Sequence, residues 1–295
     1  MPREGSSSRE ILIAPAKLTL TLRVTGVRDT EPFRGYHLID AVMTLLDLHD
    51  LIEIEELPSD SPSRVVYTGL FADGLGPGAA SGTDLVSRAL HAVGRSANVN
   101  VIKNIPHGGG LGGGSADAAA ILRWAHARRH DPGRRDFDLD SVAVALGADV
   151  VFCASGLDRA RVRGIGELLE PLEQVPGSVT LIVPPFSVST PAVYQALDQI
   201  SGDHISGDLI PGNQISDDRT SVAAGHASTR HTVNDLEEAA IRVEPRLADW
   251  KLRITAASGI SPTLAGSGAT WFVPGDHGYL TTRLPEATVV VTGHR

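Results

Sequence analysis

The stretch Gly108-Gly109-Gly110-Leu111-Gly112-Gly113-Gly114 runs straight into Ser115-Ala116-Asp117-Ala118-Ala119-Ala120, so six glycines in seven positions precede an alanine-rich segment. Without a Cβ the backbone can approach a ligand closely and take positive φ, and successive N–H groups can then converge on an anion. From Ser115 to Leu122 the residues read as the opening turns of a helix, whose free N–H groups and positive dipole end face the same anion. The segment predicts a phosphate cradle. Upstream, Val99 to Ile105 is a strand candidate closed by Pro106, which puts the cradle between a strand and a helix. Gly108, Gly110 and Gly113 also satisfy G-x-G-x-x-G, which leaves a dinucleotide-binding fold open, with Asp131 and Asp136 downstream. No Gly-Lys-Ser/Thr ends the run, which disfavours a Walker-type loop. A flexible linker is the remaining alternative, and the flanking strand and helix argue against it.

Working outward, Ile11 to Val24 alternates in the manner of a strand pair and Leu51 to Leu57 reads as another strand. Leu38 to Leu48 fits a strand or a short helix. Thr83 to Val93 reads as a helix with Leu85, Val86, Ala89, Leu90 and Val93 on one face, and Leu139 to Leu146 as a helix ended by Gly147. Strand-like Val179 to Val183, Pro184-Pro185 and helix-like Pro191 to Ile200 suggest a new unit beginning near residue 176. Ser201 to His231 is polar and reads as a surface loop or insert. Asn234 to Val243 reads as a helix capped by Asn234. Pro262 to Leu264, Thr270 to Val273 and Glu286 to Thr292 are the remaining strands. Strands and helices in two blocks indicate an α+β protein.

A chain of 295 residues, 42% hydrophobic and 21% charged, has material for two ordinary domains. Its net charge of −9 argues against a nucleic-acid or anionic-membrane surface while leaving room for a local phosphate site. Cys153 is the single cysteine, so an internal disulfide and any multi-cysteine metal site are excluded. Met1 to Glu10 is polar with no secretory apolar core, and no run of about 18 apolar residues occurs. A cytoplasmic location is expected.

Five separated segments together resemble the GHMP kinase superfamily. They are Ala14-Pro15-Ala16-Lys17-Leu18-Thr19-Leu20 with Gly35-Tyr36-His37; Lys103-Asn104-Ile105-Pro106-His107 with the glycine run; Leu146-Gly147-Ala148-Asp149-Val150 with Gly164-Ile165-Gly166-Glu167; Val188-Ser189-Thr190-Pro191 with Tyr194; and Asn234-Asp235-Leu236-Glu237 with Leu264-Ala265-Gly266-Ser267-Gly268-Ala269. Within that superfamily the pattern is most similar to the branch acting on 4-diphosphocytidyl-2-C-methyl-D-erythritol. The resemblance implies an N-terminal ribosomal-protein-S5-like nucleotide-binding lobe over 1–175. A C-terminal ferredoxin-like lobe follows over 176–295, with a variable insert near 201–231 and the active site between the lobes. It implies ATP with Mg²⁺, transfer to the 2-hydroxyl of a cytidyl diphosphate substrate, no nucleic-acid or membrane partner, and a monomer or weak homodimer.

By the same resemblance, Lys17 and Asp149 are the catalytic pair. Asp149 would be the general base, and the ammonium beside it would keep the carboxylate ionised and offset charge on the phosphoryl group. Taken alone, the two also fit a turn cap and a strand-edge surface charge. Lys103, Pro106, Gly108, Gly109, Gly110, Gly112, Gly113, Gly114 and Ser115 would hold the nucleotide. Ser115 would donate to a phosphate oxygen or assist Mg²⁺, with an N-cap as its plainer role. Thr19, Tyr36, His37, Thr190, Tyr194, Gly266, Ser267 and Gly268 would meet the substrate, two aromatic rings sandwiching the base and the second glycine loop closing over the cleft. That loop is otherwise an ordinary hairpin turn. No residue is assigned as a metal ligand, and no H-E-x-x-H spacing occurs. Cys153 reads as a small core residue.

Three departures from the family pattern stand out. Thr19 and Asp84 each occupy an asparagine position, and Val151 replaces a proline common after Asp-Val. A mevalonate-type, sugar or amino-alcohol kinase, a catalytically weak nucleotide-binding scaffold and a dinucleotide-dependent oxidoreductase are the competing expectations.

Overall fold

The computed structural model describes residues 9–72, 84–131, 136–205 and 234–295. Strands β1 (Glu10–Val27) and β2 (His37–Leu57) form a long antiparallel ribbon. Ile11 to Val24, expected as a strand pair, is therefore one strand. Leu38–Leu48 and Leu51–Leu57 are likewise one strand, since no glycine, proline or asparagine separates them. Register shifts fall between Pro15 and Lys17 and between Thr19 and Thr21. Such bulges bend a strand and re-aim its side chains, and they flank Lys17 on both sides.

Strand β2 gives its second edge to two partners. Strand β3 (Arg64–Thr68) pairs with β4 (Ser96–Ile102), which pairs with Leu51–Leu57 of β2; β5 (Arg159–Gly164) pairs with Ile39–Thr44, and β6 (Leu168–Pro171) follows β5. Helices α1 (Leu85–Ala92), α2 (Gly113–Ala127), α3 (Leu139–Leu146) and α4 (Ala148–Ala154) pack around a core containing Leu18, Leu46, Ile52, Ile105, Ile121 and Leu122. Helix α2 owes its close packing to alanines, which leave Ala116, Ala118, Ala119 and Ala120 buried.

A second sheet contains β7 (Ser178–Val183), β8 (Thr263–Leu264), β9 (Trp271–Pro274) and β10 (Thr288–Gly293) in the order β10-β7-β9-β8. Helices α5 (Thr190–Ile205), α6 (Glu237–Val243) and α7 (Arg246–Ser258) lie between β7 and β8, and α8 (Leu280–Arg283) between β9 and β10. Counted within the sheet, the spatial order is four-one-three-two with a β-α-β-β-α-β chain path, the ferredoxin-like arrangement. The protein is thus a two-lobed α+β molecule. Leu22, Ile39 and Met43 from the β1–β2 ribbon enter the second core beside Trp250 and Trp271. Hydrogen bonds also join the lobes: Val24 N to Asp235 Oδ2 at 2.9 Å, Leu48 N to Thr292 Oγ1 at 3.0 Å and Arg295 N to Leu45 O at 3.0 Å.

Asn234 does not cap a helix at its own position. Helix α6 starts at Glu237, while the Asn234 amide donates to Leu264 O at 2.9 Å and Gly266 O at 2.7 Å. Its amide nitrogen serves as a tertiary brace, while its Oδ1 accepts from Leu236 N at 3.0 Å in a local turn just ahead of the helix. The expected insert at Ser201 to His231 lies outside the described residues except for 201–205, which continue α5. Among the described residues no helix is long and apolar enough to cross a membrane.

Candidate active site

The glycine run follows β4 after residues 103–107 and enters α2 directly. Gly108, Gly110 and Gly112 have φ of +72°, +80° and +68°. A Cβ at Gly110 would sit 2.5 Å from Ala265 O, and one at Gly112 would sit 2.7 Å from Lys17 Cγ. Both positions therefore require glycine for space as well as for conformation. Helix α2 begins at Gly113 with Gly112 as its N-cap and no capping side chain. The first-turn amides have no intrahelical acceptor and form the anion-binding end of a 15-residue helix. Ser115 is then the third helical residue and not the N-cap. Of the two helix-weakening glycines before it, Gly113 is the crowded one, since a Cβ there would sit 3.2 Å from Lys103 Nζ and 3.3 Å from Ile105, whereas one at Gly114 would meet Leu85 at an ordinary 3.6 Å. Pro106, Gly108, Gly109, Gly110, Gly112, Gly113, Gly114 and Ser115 line one hollow of about 200 Å³.

A larger cleft of about 780 Å³ adjoins that hollow, with Ser115 and Gly110 lining both. It contains Lys17 from β1 and Asp149 from the first turn of α4, whose charged atoms are 3.3 Å apart. The lysine side chain is 5% exposed and the carboxylate 35%, so the ammonium is buried beneath a carboxylate open to the cleft. Lys17 Nζ also donates to Thr19 Oγ1 at 3.2 Å, and Lys17 N donates to Leu111 O at 3.0 Å, tying the strand to the glycine loop. Thr19 thus faces the cleft with its oxygen engaged by Lys17 and its hydroxyl proton available.

At the other end of the cleft His37 and Tyr194 stack with ring centroids 4.8 Å apart and planes inclined by 31°. Asp198 Oδ1 lies 2.8 Å from His37 Nε2. Burial and the nearby Asp149 charge push the Tyr194 phenol up to about 12, so it stays neutral. Tyr36 departs from the expected arrangement of rings: it is 58% exposed at the rim and meets Phe33 edge-on at 5.6 Å. His37 and Tyr194 thus come together, while Tyr36 lines the same cleft from its rim.

The second glycine loop packs against the first and borders the cleft. Thr270 N donates to Gly109 O at 3.2 Å, and a Cβ at Gly268 would lie 2.3 Å from both Gly109 C and Gly110 N. Gly266 and Ser267 line the cleft, and Ser267 Oγ is 2.8 Å from Thr190 Oγ1 at the start of α5.

Lys103 lines the smaller hollow. It is 3% exposed, bonded to Asp50 and, at 2.7 Å, to Asp117. Asp84 spends both oxygens on structure. Oδ1 accepts from Tyr67 Oη at 2.8 Å and from Ser87 N at 2.9 Å, while Oδ2 accepts from Ser87 Oγ at 2.6 Å, capping α1. Cys153 is buried, and burial pushes its thiol up to about 12. Asp50, Asp117 and Asp198 escaped sequence reasoning. A lone carboxylate inside the apolar run Ala116–Leu122 was the available signal for Asp117, since such a group requires a buried partner.

Among the described residues no group of three or more His, Cys, Asp or Glu residues is placed to hold a metal. The available donors beside the glycine loop are the hard oxygens of Ser115 and Asp149. That set fits Mg²⁺ shared with substrate phosphates, not a dedicated protein cage.

Residues 82–158 match the model of the GHMP kinases N terminal domain. The 4-diphosphocytidyl-2-C-methyl-D-erythritol kinase of Paracoccus denitrificans is 38% identical over 260 residues, covering 88% of this chain and 84% of that protein. A crystal structure of 4-(cytidine 5'-diphospho)-2C-methyl-D-erythritol kinase superposes with a TM-score of 0.66 at 25% identity, covering 97% of this chain and 100% of that one. The L. major mevalonate kinase shares the fold alone, with a TM-score of 0.62 at 11% identity over 100% of this chain and 99% of that one.

Proposed function

The chain belongs to the family of 4-diphosphocytidyl-2-C-methyl-D-erythritol kinases, within the GHMP kinases, and from that premise we propose that it transfers the γ-phosphoryl group of ATP to the 2-hydroxyl of 4-diphosphocytidyl-2-C-methyl-D-erythritol. The products are the 2-phosphate and ADP, in the non-mevalonate route to isoprenoid precursors. One observation carries the reading: a single cleft holds the Lys17–Asp149 pair and the His37–Tyr194 stack, and meets the glycine loop at Ser115.

Each group has a task set by its position. The loop amides and the first turn of α2 cradle the nucleotide phosphates, and Ser115 donates to a phosphate oxygen. Asp149 accepts the proton of the acceptor hydroxyl as its oxygen forms the new bond to phosphorus. Lys17, buried at 3.3 Å from that carboxylate, keeps it aimed and offsets charge on the transferring group. Ser115 and the substrate phosphates would hold Mg²⁺, whose contribution when bound is to neutralise phosphate charge. The His37–Tyr194 platform offers a π-face for cytosine, with Tyr36 at the rim available to close over it. Thr190, Ser267 and Gly266 would flank the acceptor, with Thr19 beside Lys17.

We place the division between lobes at residue 175/176, in the connection between β6 and β7. We also propose a cytoplasmic enzyme, monomeric or a weak homodimer, consistent with a single buried cysteine and a net charge of −9. The test is a panel of acceptors with labelled ATP and mass spectrometry of the products. Transfer to the cytidyl diphosphate substrate is expected. Preferred transfer to mevalonate or homoserine would overturn the assignment, because a base-free acceptor has no use for the stacking pair.

A further inference from the structure

The segment Gly164-Ile165-Gly166-Glu167 carries β5 into β6, and its Ile165 lines the large cleft. Gly164 and Gly166 take φ of +73° and +121°. The turn they make folds the Glu167 carboxylate back over its own backbone. Glu167 Oε2 accepts from Ile165 N at 2.6 Å, and a Cβ at Gly164 would overlap that oxygen. A Cβ at Gly166 would lie 2.7 Å from Ala148 Cβ, so the same turn rests on the residue before Asp149. The other carboxylate oxygen, Oε1, accepts from Arg28 Nη2.

Arg28 stands just after β1, in the connection that carries Tyr36 and leads into His37. Between Val27 and Tyr36 only Arg28 and Phe33 are partly shielded from solvent, and Phe33 meets Tyr36 within the connection. Arg28 is the side chain that reaches across to another element. Its backbone clasps the far end of the connection: Arg28 N donates to Tyr36 O at 2.8 Å, and Arg28 O accepts from Gly35 N at 2.8 Å. A guanidinium fixed on Glu167 therefore fixes residues 35 and 36, and with them the entry to His37. Burial opposes the charge on Glu167, yet its own N–H, the Arg28 guanidinium and the Ile165 N–H together hold the carboxyl below its ordinary value.

We propose that Arg28 and Glu167 are positioning residues for the acceptor, their ion pair tying the connection that bears Tyr36 and His37 to the turn packed on Ala148, and so setting the base platform at a fixed reach from Asp149. The inference rests on the reading that the His37–Tyr194 stack holds the cytosine of the substrate. One molecule must then span from that stack to the carboxylate, and a shift of about 1 Å between the two ends is costly. Other residues line the hollow at the glycine loop, which confines the effect to the acceptor.

Calorimetric titration of the intact protein with the cytidyl acceptor, in the presence of a non-hydrolysable ATP analogue, tests it together with kinetics in both substrates. Glu167→Gln keeps an oxygen for Ile165 N and removes the charge facing Arg28; Arg28→Gln removes the opposite charge. Each should weaken acceptor binding and raise its KM roughly tenfold, with KM for ATP within about twofold of the parent. The double variant should be no worse than the poorer single variant, because both lose one shared interaction. Arg28→Lys keeps the charge on a different head group and should raise KM for the acceptor alone, by about two- to fivefold. Parental acceptor affinity in both neutral variants, even with a lower melting temperature, would overturn the positioning role. Losses that multiply in the double variant would overturn the pairing. Equal rises in both KM values for Arg28→Lys would overturn the proposal even if the neutral variants failed to fold. No heat with the cytidyl acceptor in the parent would remove the base-site reading and this inference with it.

Discussion

Replacing Gly268 by alanine tests the contact between the two glycine loops. The added Cβ would lie 2.3 Å from Gly109 C, 2.3 Å from Gly110 N and 2.4 Å from Gly109 O, whereas ordinary contact begins at 3.4 Å. All three neighbours are backbone atoms, so no rotamer can move aside. The loops must part by about 1 Å, enough to break the 3.2 Å hydrogen bond from Thr270 N to Gly109 O. Overpacking costs ~1–3 kcal/mol and the lost hydrogen bond ~1 kcal/mol, giving roughly 3 kcal/mol of destabilisation. In a chain of this size that is a fall of several degrees, on the order of 6–12 °C, in melting temperature. The same displacement moves the amides that face the phosphates, and a misplacement of about 1 Å typically costs about a hundredfold in rate. Differential scanning calorimetry and steady-state kinetics with ATP as the varied substrate read both effects. A variant that melts with the parent and keeps its kcat/KM for ATP would refute the reasoning, since the two loops could not then be in contact.

Tyr194→Ala removes one face of the base platform. Losing one stacking partner worth ~1–3 kcal/mol should raise KM for the cytidyl substrate by about 5- to 100-fold with KM for ATP unchanged, measured by varying each substrate in turn. Cys153, with its thiol pushed up to about 12 by burial, should resist a disulfide reagent at pH 8 in the folded protein and react fully in denaturant. Asp117 binds a proton in the folded protein that the unfolded chain releases between pH 3.8 and about 7. Its contribution to stability is therefore present at low pH and lost as pH rises through neutrality, and denaturant midpoints for Asp117→Asn should show a shallower decline over that window.

Much of the site could be read from the chain because its devices are local. A glycine run between strand and helix specifies a cradle wherever it occurs, and the short motifs around Lys17, Asp149 and Asn234 lie at its two sides. What the sequence does not carry is tertiary. The absence of glycine, proline and asparagine in His37–Leu57 leaves strand and helix both open, and pairing with β1, β4 and β5 decides the matter. Asn234 has the composition of a cap, and its Oδ1 does accept from Leu236 N, yet its amide nitrogen also serves the backbone of residues 264 and 266, which no local pattern shows. Tyr36 and Tyr194 look equivalent on paper, yet Tyr36 lines the cleft from its exposed rim, edge-on to Phe33, while Tyr194 stacks with His37. Asp84 in an asparagine position keeps a structural task, since a carboxylate caps α1 and accepts from Tyr67 without any amide donor.

Catalysis depends on a carboxylate and an ammonium meeting beside the phosphate cradle. Rapid-quench single turnover of Asp149→Asn, with saturating ATP and cytidyl acceptor, tests this most directly. Loss of a general base predicts a chemical step slower by about 10²- to 10⁴-fold while nucleotide affinity stays within a few-fold of the parent. Phosphoryl transfer at the parental rate would contradict it.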